Sequence, residues 1–206
     1  MATKRMPSAQ RRTQIAEAAL KQLAHDGQKA LTLVELGRAV GISDVSVLRH
    51  FADKAAVVAA AVALFGELLD EDLPDDIEDP MRALGAFFVR RLHKVRDRPE
   101  LMSLAYNTRL RDAADGDPAA VAAVDAHMAR SAKFVRTRIE QAQAAGQMSR
   151  EVPAQMWVWL VAGVLRGAAV SLPASLQDED LAKLSPERTW EIVEKLLRGQ
   201  LAPTTE

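Results

Sequence analysis

The sequence predicts an all-α protein of nine helices in two domains, and three observations carry that prediction. Of its 206 residues, 37 are alanine and 24 leucine, which lose little on entering a helix. Aromatic residues make up only 4% of the chain, so strand formers are scarce. Apolar residues recur three and four apart between glycine and proline breaks, with no convincing alternation of the strand kind. There is no cysteine, which excludes disulfide scaffolds, thiolate zinc sites and cysteine nucleophiles, and fits a reducing compartment. No apolar run reaches about 18 residues, and the basic MATKRMPSAQRR stretch is not followed by the apolar segment of a signal peptide. A soluble, cytoplasmic chain without a membrane partner is expected.

The first helix runs from Ser8 to about Asp26, with Ile15, Ala18, Ala19 and Leu23 on one stripe and Gly27 as its stop. Thr32-Leu-Val-Glu35 is a capping box that opens the second, in which the Thr32 hydroxyl serves the Glu35 N–H and the Glu35 carboxylate bonds back. Gly41 ends that helix after about two turns, and Ser43 or Asp44 caps a third that runs to Phe51. Asp53 caps the fourth, from Lys54 to about Asp72. The acidic run 67–79 that follows reads as a solvated connection. Pro80 and Pro99 suit the first turns of helices reaching about Arg96 and Arg111. Asp115-Gly-Asp-Pro118 turns into a helix of about 27 residues ending at Gly146. Pro153 starts another to about Leu172, and Ser185-Pro186 starts the last, to about Arg198.

Two short helices joined by Gly41-Ile42-Ser43 have the form of a helix-turn-helix, whose second helix enters the DNA major groove. Leu36, Val40, Ile42, Val47 and Phe51 can supply its core, leaving Asp44, Val45, Leu48 and Arg49 on the outer face of the third helix. The charge distribution agrees. Residues 1–54 carry nine Lys/Arg against five Asp/Glu, a balance of +4, while the remainder carries 18 against 23, a balance of −5. A basic module attached to an acidic remainder suits a reader of a polyanion held by a larger domain.

Residues 15–54 resemble the DNA-binding domain of the TetR family of bacterial repressors. The resemblance lies in Gly27, Thr32, Gly41-Ile42-Ser43, Leu48-Arg49-His50-Phe51 and Lys54, with Leu48 standing where the family pattern has tyrosine. It implies a DNA-binding domain over 8–54, with its helix-turn-helix at 32–51, and a ligand-binding and dimerisation domain over 55–206. It further implies a homodimer on a palindromic operator of double-stranded DNA, released by a small-molecule effector. Carried over by position, Thr32 would meet phosphate, Asp44, Val45 and Ser46 would face base edges, and His50 and Lys54 would grip the backbone. Ser43, Leu48 and Arg49 complete the expected DNA face. Arg11, Arg12 and the Lys4-Arg5 arm are expected to add phosphate contacts.

In the remainder, the expected ligand contacts are Phe87, Phe88, Met102, Tyr106, Asn107, Arg109, His127, Met128 and Trp157, a mixture of apolar and polar groups that suits a pocket. The expected dimer seam is a four-helix arrangement using Trp159, Gly163, Arg166, Val170, Trp190, Val193 and Leu197. The histidines form no ligand pair at helical spacing, and no metal or cofactor is expected. The sequence lacks a glycine-rich phosphate loop and a Gly-x-Ser-x-Gly elbow, which disfavours an enzyme. The resulting expectation is a nucleoid-associated repressor. The alternative is an effector-independent DNA-organising protein on the same fold.

Overall fold

The computed structural model describes residues 6–27, 31–169, 180 and 183–200. Among them are ten helices and no strand. They are α1 (Ser8–Asp26), α2 (Leu33–Val40), α3 (Asp44–Leu48), α4 (Lys54–Asp70), α5 (Pro80–Asp97), α6 (Pro99–Ala105), α7 (Arg109–Ala113), α8 (Pro118–Ala144), α9 (Ala154–Ala169) and α10 (Pro186–Leu197). Six of them start on the same device, a side-chain oxygen accepting from a backbone N–H three residues on. The pairs are Thr32 with Glu35, Ser43 with Ser46, Asp53 with Ala56, Asp79 with Arg82, Asp117 with Ala120 and Ser185 with Arg188.

The tenth helix arises where the sequence predicts a single one over 99–111. Asn107 Oδ1 accepts from the Arg109 N–H at 2.8 Å, and the Thr108 hydroxyl donates to Asp112 Oδ2 at 2.8 Å. These short polar side chains offer the backbone a turn in place of a continuous helix, so the segment splits into α6 and α7. Other ends shift slightly: α3 stops at Leu48 rather than Phe51, and α4 at Asp70 rather than Asp72. The expected continuation of α9 to Leu172 lies outside the described residues. No described helix is long and apolar enough to cross a membrane.

The chain packs as two compact units. The first ends at Asp70 and resumes over Ser103–Met128; the second holds Glu71–Met102 and the chain from Ala129 on. In the first unit, α1 buries Ile15, Ala19, Leu20 and Leu23, and α4, its main partner, buries Val57, Val58, Ala61, Val62 and Phe65. The apolar face of α4 covers α1, so α4 is part of this compact unit. Arg109 of α7 donates to the carbonyls of Ala24 and His25, satisfying the open C-terminal end of α1. The His127 ring lies directly on Gly66 of α4, where a Cβ would overlap it.

In the second unit α5 is central, packing with both α9 and α10. Its Phe88 ring lies 5.4 Å from that of Trp190, and its Phe87 ring 5.5 Å from that of Phe134. Trp190 sits so close to Gly85 that a Cβ there would fall 2.6 Å from its Nε1. The acidic run 67–79 is not simply a solvated connection. Asp72 is only 3% exposed and lies with Oδ2 2.6 Å from Nε of Arg91, itself 5% exposed, and with Oδ1 2.9 Å from Lys94 Nζ.

Candidate nucleic-acid interface

The helix-turn-helix is built from a cap, a tight turn and a second cap. Thr32 Oγ1 accepts from the Glu35 N–H at 3.2 Å, the first half of the expected capping box. The Glu35 carboxylate is engaged elsewhere, on Arg38 Nη1 at 2.6 Å. Gly41 takes the left-handed conformation with φ 70°, which favours glycine, and Ile42 N–H donates to the Gly37 carbonyl at 2.9 Å. This brings the turn onto α2 so tightly that a Cβ at Gly37 would fall 2.7 Å from the Ile42 carbonyl oxygen. Ser43 then caps α3, and its hydroxyl oxygen lies 2.9 Å from that of Ser46.

The helix period sorts α3 as the sequence reading expects. Val47 and Phe51 are buried with Leu36, while Val40 and Ile42 are half-buried. Asp44, Val45, Leu48 and Arg49 are exposed, Val45 at 59% and Leu48 at 46%. The outer face of α3 thus presents two apolar side chains, one carboxylate and one guanidinium. Thr32 is exposed at the start of α2, while His50 and Lys54 are half-buried.

The first turn of α1 is tied to this motif by its two arginines. Arg11 Nη1 donates to the Val40 carbonyl at 3.1 Å and to Gln14 Oε1 at 3.1 Å. Arg12 donates to the His50 carbonyl, and its guanidinium stacks 4.2 Å from the centre of the Phe51 ring. Ser8 Oγ lies 3.2 Å from Nδ1 of His50. These side chains hold α1 against the ends of α2 and α3, a positioning role that the sequence reading does not assign to Arg11 and Arg12. The Lys4-Arg5 arm lies outside the described residues. An open surface groove runs between α1 and α2, edged by Glu17, Lys21, Asp26, Glu35 and Arg38.

The expected ligand residues divide between the two units. In the second, Phe87, Phe88 and Met102 are buried, and Trp157 is half-buried with its Nε1–H facing no acceptor among the described residues. In the first, Asn107 and Arg109 serve the α7 turn and the end of α1, His127 lies on Gly66 with Nδ1 3.6 Å from Asp70, and Tyr106 and Met128 are half-buried. Of the expected seam residues, Trp159 is 67% exposed and Gly163 and Arg166 are exposed or nearly so, whereas Trp190, Val193 and Leu197 are buried. The α10 stripe faces the core because Trp190 fills the gap at Gly85; the exposed apolar residues of that helix are Ile192 and Leu196. Val170 lies outside the described residues. Sequence reasoning misses the buried Asp72–Arg91 pair, which no spacing rule links across the loop between α4 and α5. Among the described residues no group of three or more His, Asp or Glu side chains is placed to hold a metal ion.

Residues 15–67 match the sequence model of the bacterial regulatory proteins of the tetR family. No curated protein matches the chain. Solved structures share its fold at low identity. AibR, in complex with isovaleryl coenzyme A and operator DNA, aligns with TM-score 0.70 at 17% identity over 91% of this chain and 97% of its own. The TetR family transcriptional regulator PfmR from Thermus thermophilus aligns with TM-score 0.68 at 18% identity, over 95% and 97%. FadR from Bacillus subtilis, in complex with stearoyl-CoA, aligns with TM-score 0.60 at 12% identity, over 92% and 98%.

Proposed function

We propose that the chain, whose residues 15–67 match the sequence model of the tetR family of bacterial regulatory proteins, is a homodimeric repressor that leaves a palindromic operator when a small ligand binds. The observation that carries this reading is the outer face of α3. Asp44, Val45, Leu48 and Arg49 stand free of the core on a helix capped by Ser43 and braced by Arg11 and Arg12. In this reading α3 enters the major groove, and Thr32 and the half-buried His50 and Lys54 meet phosphates on either side.

A second copy pairs through Met156, Trp159 and Gly163 of α9 and Ile192 and Leu196 of α10, which are exposed here and form an apolar set that water disfavours. Two readers joined in this way bind when α3 and its counterpart stand about 34 Å apart, one turn of DNA. Effector binding shifts the population away from that spacing. Trp157, on the helix α9 that packs with α5, has a buried indole N–H with no acceptor among the described residues and is the first candidate ligand contact. The acyl-CoA thioesters held by two of the solved neighbours are the first ligands to test.

Selection of binding sites from random DNA duplexes, followed by titration of the selected site at several salt concentrations, tests the reading. A two-fold symmetric consensus is expected, with affinity that falls as salt rises and on addition of isovaleryl-CoA or stearoyl-CoA. A chain that selects no sequence refutes the DNA-binding reading. A chain that binds equally with and without either thioester, and with and without a wider panel of carboxylic acids, supports the effector-independent alternative. Sedimentation should show a dimer that Trp159→Glu dissociates; a monomeric parent chain at micromolar concentration removes the seam.

A further inference from the structure

We propose that α3 reads its DNA site chiefly through the C5 methyl groups of thymine, with Val45 and Leu48 as the specificity-determining residues; the inference rests on the DNA-binding reading above. Among the described residues the exposed large apolar side chains are Val34, Val45, Leu48, Met156, Trp159, Ile192 and Leu196. They are not scattered. Four lie on α9 and α10, and the other three lie on the two helices of the helix-turn-helix. Single exposed apolar residues need no explanation, but a set confined to the outer side of a recognition element does.

Helix geometry puts Val45 and Leu48 on one face. They stand three residues apart, one turn along α3, with Asp44 beside them and Val47 turned into the core. A rise of about 4.5 Å between them spans one to two base steps. The polar alternatives on this helix are limited. The Ser43 and Ser46 hydroxyls lie 2.9 Å from each other, and Ser43 also accepts from the Ser46 N–H. Arg12 is held on the His50 carbonyl and the Phe51 ring. No asparagine or glutamine occurs between residues 43 and 51 to read adenine. Asp44 can accept from a cytosine amino group and Arg49 can donate to guanine, but neither gives Val45 or Leu48 a partner. The one apolar group on a major-groove base edge is the thymine methyl.

The test uses the full chain and the duplex it selects from a random pool. Each thymine of that site is replaced in turn by uracil, which pairs with adenine in the same way and lacks only the methyl group. At one or two thymines in each half-site, the parent protein should lose about fourfold in affinity per methyl, the value of one buried carbon. Val45→Ala or Leu48→Ala should abolish that discrimination at its own thymine and leave it at the other. Both positions are exposed, so the variants should melt like the parent. A selected site at which every uracil duplex binds as tightly as its thymine parent overturns the inference and leaves the DNA-binding reading standing. A discrimination that persists in both variants reassigns the methyl contact to other residues and overturns it as well. A chain that selects no site overturns both.

Discussion

Replacing Asp72 by alanine removes a carboxylate that pairs with a buried cation of the second unit. Arg91 is 5% exposed, its Nε lies 2.6 Å from Asp72 Oδ2, and its guanidinium lies 5.0 Å from the centre of the Phe87 ring. Ser131 Oγ, at 3.4 Å from Nη2, is a neutral neighbour that cannot replace the carboxylate. Lys94 is better placed to adapt, since its Nζ also lies 3.1 Å from Glu71, whose carboxylate is largely in water. The change therefore falls first on Arg91, the more deeply buried of the two cations. Breaking a buried pair from one side costs about 3–5 kcal/mol, a large share of the total of about 5–15 kcal/mol that stabilises a typical protein. For a chain of this length that is a fall in Tm of about 6–20 °C. Urea unfolding followed by circular dichroism, on the parent, Asp72→Ala, and the pair Asp72→Leu/Arg91→Met, measures it. The double variant should lose less than Asp72→Ala, because it leaves no uncompensated charge. Arg188→Ala, which breaks a pair with Glu191 at 2.5 Å that is more than half exposed on both sides, should cost below about 1 kcal/mol. If Asp72→Ala costs no more than Arg188→Ala, the buried pair does not stabilise the unit as argued.

Three further outcomes follow from the geometry. Gly37→Ala should destabilise the chain by about 1–3 kcal/mol despite alanine's better helix propensity, since its Cβ would press on the backbone of Ile42; operator affinity and urea midpoint should fall together, and an unchanged midpoint would contradict the close packing of the turn. Glu187 is held down from 4.5 to about 2, chiefly by its hydrogen bond from His93 and then by bonds at the start of α10, and the Arg82 N–H and Gln147 side chain hold Asp79 below its ordinary value. Because both carboxyls are depressed, their stabilising effect is complete above their unfolded pKa and is lost as pH falls through the folded one. The parent's urea midpoint should therefore drop more steeply than that of Glu187→Gln between about pH 4.5 and 2, and parallel profiles would count against it. Arg109→Ala should cost about 1 kcal/mol by leaving the carbonyls of Ala24 and His25 to water, and the amides of the last turn of α1 should exchange faster; unchanged exchange would remove the role.

How far the sequence can be read depends on the distance over which each structural choice is made. Caps and turns are settled within four residues, so Thr32, Gly41, Ser43, Asp53 and Ser185 mark helix ends correctly. Period alone gives the buried and exposed sides of α3. It cannot say which neighbour a stripe meets: Trp190, Val193 and Leu197 form a stripe that the pattern assigns to a second copy, and it meets α5 instead. A hint is present in Gly85, since a glycine in mid-helix costs about 1 kcal/mol and often marks a close approach. Asp72 carries no such hint. Its partner lies 19 residues on, and an aspartate in a run of acids reads as solvated until the fold turns it inward. The break at Asn107-Thr108 escapes the pattern because Pro99 and the apolar positions around it favour a helix more strongly than two polar residues oppose it.

The bond from Arg109 to the end of α1 has a consequence for how the chain is made. The acceptor on Ala24 is synthesised 85 residues before the guanidinium that satisfies it. At about 5–20 residues per second, that interval lasts roughly 4–17 s. During it, the helix-turn-helix can close its local caps and its turn, and the Gly27 N–H can bond the Leu23 carbonyl, yet the carbonyls of Ala24 and His25 lack the guanidinium that later serves them. A nascent chain halted before residue 109 therefore carries a reader whose first helix frays at its C-terminal end, so protease sensitivity near Ala24 should fall once α7 has been added.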